Sequence, residues 1–258
     1  AALPEIVEEY MAEISRITGR EYHLFNYYGA KDAEKVIIAM GSVSGTVCET
    51  VDYLNKRGEK TGFLQVHLYR PFSVEHFLGA LPKTVRKIAV LDRTKEMGAV
   101  GEPLYTDVRS ALYGKDVTVV GGRYGLSSKD TTPSDIAAVF ENLDADQPKN
   151  GFTISINDDV THLSLAPVKS VQAENDDTIS CKFWGLGSDG TVGANHSTVK
   201  IINDYTDKYA QAYFEYDAKK SFGVTKSHLR FSSSPMRSAY YVKNADFIAE
   251  QQTDFIFA

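Results

Sequence analysis

Lys35-Val36-Ile37-Ile38-Ala39-Met40, followed by Gly41-Ser42-Val43-Ser44-Gly45, reads as a strand that runs into a turn and then into a helix continuing to about residue 57. The strand does not alternate apolar with polar residues. Its unbroken apolar run suits a strand covered on both faces, and both faces are covered when helices flank a parallel sheet. One such unit does not make a fold, but the pattern recurs downstream. Residues 63–68 read as a strand, 73–79 as a short helix with Ser73 as N-cap, and 87–91 as a strand. Residues 102–113 then read as a helix, 117–121 as a strand, and 133–142 as a helix with Pro133 near its first turn. This alternation predicts an α/β fold over residues 29–147, doubly wound around a mainly parallel sheet.

Upstream, Leu3, Ile6, Val7, Tyr10, Met11, Ile14 and Ile17 recur at helical spacing and Gly19 is a natural stop. Residues 1–28 are therefore expected to be an N-terminal helix and linker. A chain that starts directly on a helix pattern reads as a piece of something longer. Downstream, Leu143-Asp144-Ala145-Asp146-Gln147-Pro148-Lys149-Asn150-Gly151 is polar and marks a boundary. Residues 152–156 and 161–165 alternate at period two around Asn157-Asp158-Asp159, as a hairpin or two edge strands within a connector spanning 148–177. Residues 210–216, 223–230 and 239–242 look like strands, so a second α/β domain is expected over 178–258, as a partial domain.

Composition bounds the function. The chain has 258 residues, 43% hydrophobic and 24% charged, with a net charge of −6. With no basic run, nucleic acid is not expected as a partner. The two cysteines, Cys48 and Cys181, are far apart and form no C-x-x-C pair, so neither a disulfide framework nor a thiolate metal site is supported. A reduced, cytoplasmic setting fits that usage. No apolar run reaches membrane-spanning length, and the N-terminus lacks the basic and apolar regions of a signal peptide.

The stretch with chemical content is Gly185-Leu186-Gly187-Ser188-Asp189-Gly190-Thr191-Val192-Gly193-Ala194-Asn195. It lies between the alternating Thr178-Ile179-Ser180-Cys181-Lys182-Phe183-Trp184 and a helix-compatible segment at 197–202. A G-x-G-x-x-G turn between strand and helix lets backbone N–H groups approach an anion at a positive helix N-terminus. A tight turn that binds nothing has the same sequence. Both readings stand on the residues alone.

Longer motifs add a family resemblance. Phe183–Asn195, Tyr209-Ala210-Gln211-Ala212-Tyr213-Phe214, Tyr216-Asp217-Ala218-Lys219-Lys220-Ser221 and Ser227-His228-Leu229-Arg230-Phe231 resemble the gamma-type domain of pyruvate:ferredoxin (flavodoxin) oxidoreductases. Leu68-Tyr69-Arg70-Pro71-Phe72-Ser73, Val90-Leu91-Asp92-Arg93-Thr94-Lys95-Glu96, Gly101-Glu102-Pro103-Leu104-Tyr105 and Gly121-Gly122-Arg123-Tyr124-Gly125-Leu126 resemble the preceding domain, which is similar to the C-terminal domain of transketolases. The resemblance implies an anaerobic enzyme, a homodimer when full-length. It decarboxylates pyruvate on thiamine diphosphate and magnesium and passes electrons through [4Fe-4S] clusters to ferredoxin or flavodoxin. It transfers the acetyl group to coenzyme A. Two lone cysteines cannot ligate such a cluster, so those cofactors are expected on other domains, and this segment is expected to be inactive alone.

On this resemblance the segment contributes scaffold and a coenzyme A site. Gly187, Ser188, Gly190 and Thr191 would supply the phosphate cradle. Asp189 would fix the turn or hydrogen-bond the ligand, and Asn195 would cap the helix or touch the ligand. His196 stands where the family pattern has lysine, exchanging a permanent charge for one largely neutral at pH 7. Lys219, Lys220 and Arg230 are further candidates for phosphate contacts, with solvated surface charge as the alternative. His162 and His228 read as structural, and Phe183 and Trp184 as core packing. Arg70 and the 92–96 stretch read as charges facing another domain. Two rival readings remain. One is a free-standing NAD-binding domain with Glu215 or Asp217 as the ribose-binding acid; the other is a purely structural connector.

Overall fold

The computed structural model describes residues 2–169, 171–218 and 223–251. The chain divides into two compact units that meet in sequence at Ala173 and Glu174.

In the first unit, helix α1 (Leu3–Thr18) ends where Gly19 donates its N–H to the Ser15 carbonyl, 2.9 Å away. Strand β1 (Phe25–Gly29) follows, then β2 (Lys35–Ala39), α2 (Ser44–Asn55), β3 (Thr61–Val66), α3 (Val74–Ala80), β4 (Lys87–Asp92), α4 (Pro103–Ala111), β5 (Thr118–Arg123), α5 (Pro133–Asp144) and β6 (Phe152–Thr153). The sheet order is β1-β3-β2-β4-β5-β6, and only β1 runs antiparallel to its neighbour. The apolar run of β2 serves both faces, as its composition requires. Ile37 joins Val47, Val51, Phe63 and Phe140 on one side, while Val36 and Ile38 join Leu64, Ile88, Val90 and Leu104 on the other.

The starts of α3, α4 and α5 carry side-chain acceptors. Ser73 Oγ accepts from the His76 N–H at 3.5 Å. Thr132 and Asp135 form a reciprocal capping box at α5. The Asp92 carboxylate accepts from the N–H groups of Leu104 (3.0 Å) and Tyr105 (3.1 Å), so this charge serves the start of α4.

Two expectations need correction here. The linker before residue 28 contains β1, whose Phe25, Asn26, Tyr27, Tyr28 and Gly29 showed no strict alternation because the strand packs at a sheet edge. Of the two forms expected for the 152–165 segment, the hairpin is not formed, and β6 is an edge strand. Phe152–Thr153 extends the parallel sheet beside β5, and Thr153 bridges Ser164 in parallel. The cause is steric: Phe152 is fully buried over Gly122, where an added methyl group would run into its ring.

The second unit comprises β7 (Ile179–Leu186), α6 (Thr191–Tyr205), β8 (Tyr209–Tyr216), β9 (Val224–Ser232) and β10 (Phe247–Glu250), in the order β10-β7-β9-β8. Strand β9 is antiparallel to both β7 and β8, and β10 is parallel to β7. Residues 239–242, expected as a strand, join no ladder. Their alternation instead reflects burial against polar groups of β9: the Tyr240 carbonyl accepts from Arg230 Nη1 at 2.8 Å, and the Val242 N–H donates to His228 Nδ1 at 3.1 Å. Among the described residues no helix is long and apolar enough to cross a membrane.

Candidate functional site

The turn from β7 to α6 is held by one side chain. Asp189 Oδ2 accepts from the Leu186 N–H at 2.6 Å and Oδ1 from the Thr191 N–H at 2.8 Å. Burial works against its charge, yet the N–H donors of Thr191 and Leu186 outweigh burial and hold its carboxyl below the usual range. Of its two expected roles, Asp189 therefore performs the turn-fixing one. Ser188 (φ 74°) and Gly190 (φ 91°) both occupy the left-handed region, and Gly190 is the N-cap of α6. That combination suits glycine and burdens any side chain.

The Gly187 N–H is used within the unit, donating to the Gly223 carbonyl at 2.7 Å, and the Asp189 N–H donates to Leu186 at 3.1 Å. The N–H groups of Ser188, Gly190, Val192 and Gly193 have no acceptor among the described residues. Ser188, Gly190 and Val192 line a cleft of about 400 Å³ that Tyr216, Asp217 and Thr225 close from the strand side. Free backbone donors at a helix N-terminus suit an anion. The described lining carries two carboxylates, Asp189 and Asp217, and no cation.

Of the residues singled out in the sequence, Gly187, Ser188, Asp189, Gly190 and Thr191 come together at this turn. Asn195 is buried and its Nδ2 donates to the Thr191 carbonyl at 2.9 Å, which braces the first turn of α6. His196 is exposed and its ring stacks on Phe214 of β8, 4.4 Å between centroids. Lys219 and Lys220 lie outside the described residues. Arg230 does not flank this end of the sheet. It pairs in register with Ser180, six residues down β7 from Leu186, or about 20 Å along the strand. It is fully buried, and its Nε donates to Glu174 at 2.8 Å. Nothing local in the sequence marked Thr225, and Tyr216 stood only within a longer motif; the register of β8 and β9 brings both to the turn.

Other candidates resolve into packing. His228 is buried, stacks on Tyr241 and bonds Glu215 through Nε2 at 2.7 Å. Because its Nδ1 accepts from Val242, its proton resides on Nε2, and burial pulls its pKa down to about 4. Glu215 is thereby engaged, and β9 lies between β7 and β8, so the two strands joined through α6 are not neighbours as they are in a dinucleotide-binding unit. In the first unit, Gly41–Val43 forms a short 3-10 turn closed by Ser44 Oγ donating to the Gly41 carbonyl at 2.7 Å. Trp184 is half-buried rather than a core residue, with two lysine ammonium groups over its ring. Among the described residues no group of three or more His, Cys, Asp or Glu could hold a metal, and Cys48 and Cys181 form no disulfide.

Comparison with known proteins gives concordant matches. The family described as pyruvate:ferredoxin oxidoreductase core domain II matches residues 33–136. The family described as pyruvate ferredoxin/flavodoxin oxidoreductase matches residues 180–255. Among curated proteins, the chain is 61% identical to a pyruvate-flavodoxin oxidoreductase of Enterobacter agglomerans. It is 60% identical to that of Klebsiella pneumoniae and 56% identical to a pyruvate:ferredoxin oxidoreductase of Moorella thermoacetica. Each alignment covers 99% of this chain and 22% of the relative, so the chain spans about a fifth of the length of the curated relatives it matches.

Proposed function

The chain belongs to the pyruvate:ferredoxin/flavodoxin oxidoreductase family, and from that premise we propose that it serves the oxidative decarboxylation of pyruvate within a longer enzyme. In that reaction pyruvate and coenzyme A give acetyl-CoA, carbon dioxide, a proton and two electrons, and the electrons pass to ferredoxin or flavodoxin. The longer enzyme works as a homodimer in the cytoplasm, a reducing setting that suits two widely separated cysteines. On this reading thiamine diphosphate, magnesium and the [4Fe-4S] clusters belong to other parts of the longer enzyme, because two separate cysteines cannot ligate a cluster, and this segment is inactive by itself.

Its own contribution is scaffold and a coenzyme A cradle at the start of α6. The observation that carries this assignment is the set of three N–H groups, those of Ser188, Gly190 and Val192, without acceptors among the described residues and lining a cleft of about 400 Å³. A phosphate oxygen satisfies such donors where a neutral group does so less well. His196 leaves the site without the permanent cation that a lysine would bring, so coenzyme A affinity is modest and strengthens in His196→Lys. Calorimetric titration with coenzyme A tests the assignment: saturable binding, lost in Gly190→Val, is expected. A methyl group at Gly190 meets no neighbour within 4 Å, so the strain of that variant stays in the backbone of the turn. Saturable binding of NAD without coenzyme A would return the dinucleotide reading, and binding of neither would leave a structural connector.

A further inference from the structure

The sheet of the second unit has two faces. Phe214 stacks on His196 of α6, so α6 covers the face of Phe214 and its register partner Ser227. The opposite face carries Lys182 and Trp184 from β7, Lys226, His228 and Arg230 from β9, Glu215 from β8 and Glu250 from β10. Lys226 stands directly across from Trp184, and Lys182 is two residues before Trp184 on the same strand. Both ammonium groups lie over one indole, with Lys226 Nζ 4.6 Å and Lys182 Nζ 5.2 Å from the ring centroid.

The charges on this face are unequally compensated. Arg230 is paired with Glu174. Glu215 gives one oxygen to His228 at 2.7 Å and the other lies 3.9 Å from Lys226, near the limit of an ion pair. Neither lysine forms an ion pair with Glu250, and Lys182 forms none with any described residue. Two like charges are thus gathered on an aromatic surface with a single, shared carboxylate. Burial, then repulsion from Lys226, lowers the pKa of Lys182, and an added anion would relieve that repulsion.

We propose that Lys182, Lys226 and Trp184 form an anion site on the face of this sheet remote from α6, and that its ligand is a small phosphate monoester held between the two ammonium groups beside the indole. A dianion matches two ammonium groups that share one partial counter-charge, whereas a lone carboxylate matches only half of it. The site stands apart from the turn at Gly185–Asn195, which uses backbone donors on the other side of the strand.

Trp184 is the chain's single tryptophan, so its emission reports this site directly. Titration with inorganic phosphate at constant ionic strength, balanced with potassium chloride, is expected to give a saturable change in tryptophan emission. Lys182→Met with Lys226→Met should weaken that binding at least about tenfold. Lys182→Arg with Lys226→Arg should retain it, and Gly190→Val should leave it unchanged. A linear response equal to that of chloride overturns the proposal. So does saturable binding that survives the paired Met variant, or that vanishes in Gly190→Val. Acetate binding as tightly as phosphate overturns the ligand class. Should the Met pair lose its far-UV circular dichroism, the singly altered Lys182→Gln is read instead by phosphorus NMR, and undiminished line broadening relative to the unaltered chain counts against the site.

Discussion

At the scale of single residues, the second unit depends on carboxylates with fixed tasks. Asp189 ties both ends of the glycine turn, and Asp177 accepts from the Ser232 and Ser233 hydroxyls and the Ser233 N–H. Those donors pull the Asp177 pKa down to about 2, and the Asp189 pKa also lies below its ordinary value. Because both folded values are depressed, their contribution to stability is complete above the unfolded carboxylate range, near pH 4, and is lost as pH falls through the folded values. The urea midpoint followed by Trp184 emission should therefore drop between pH 5 and pH 2.5, and Asp177→Asn should flatten that drop. Asp189→Ala should cost about 1 kcal/mol, as removal of a capping acceptor does, and should also weaken coenzyme A binding in calorimetry by loosening the turn. Glu174 is a sharper case. Its removal strands the fully buried Arg230, whose Nη2 already lacks a hydrogen-bond partner. Glu174→Ala should destabilise the second unit by about 3 kcal/mol in urea unfolding.

At the scale of elements, packing rather than local propensity explains the departures from the sequence-based expectations. Strand β6 is two residues long, and the alternation of 152–156 did not say which strand it would join; its place is set because Phe152 fits over Gly122 in the neighbouring strand. Gly122→Ala should cost about 1–3 kcal/mol through overpacking, measured by far-UV circular dichroism in urea. The strand expected at 239–242 fails for the converse reason: its Tyr240 carbonyl and Val242 N–H are taken by the Arg230 and His228 side chains and do not join a ladder. Where local chemistry sets the boundary, the expectations hold closely: Ser73 caps the helix it precedes, and Pro133 opens α5.

At the scale of the whole molecule, the two units carry separate cores, and Trp184 belongs to the second. Gly122→Ala should lower the midpoint seen by circular dichroism while leaving the tryptophan-detected transition in place; a common shift of both would show that the units unfold as one. The sequence by itself determined the α/β class, the parallel first sheet, most helix boundaries and the glycine turn, because each rests on local periodicity, capping or backbone freedom. It also carried the family resemblance, in motifs that remain contiguous. Only the tertiary structure decided which residues share a place. It set Arg230 about 20 Å along the strand from the turn it was expected to serve, brought Tyr216 and Thr225 to that turn, and gathered Lys182 and Lys226 over Trp184. The physical reason is strand register: which side chains meet across a sheet depends on how separate strands are aligned, and no single strand's sequence encodes that alignment.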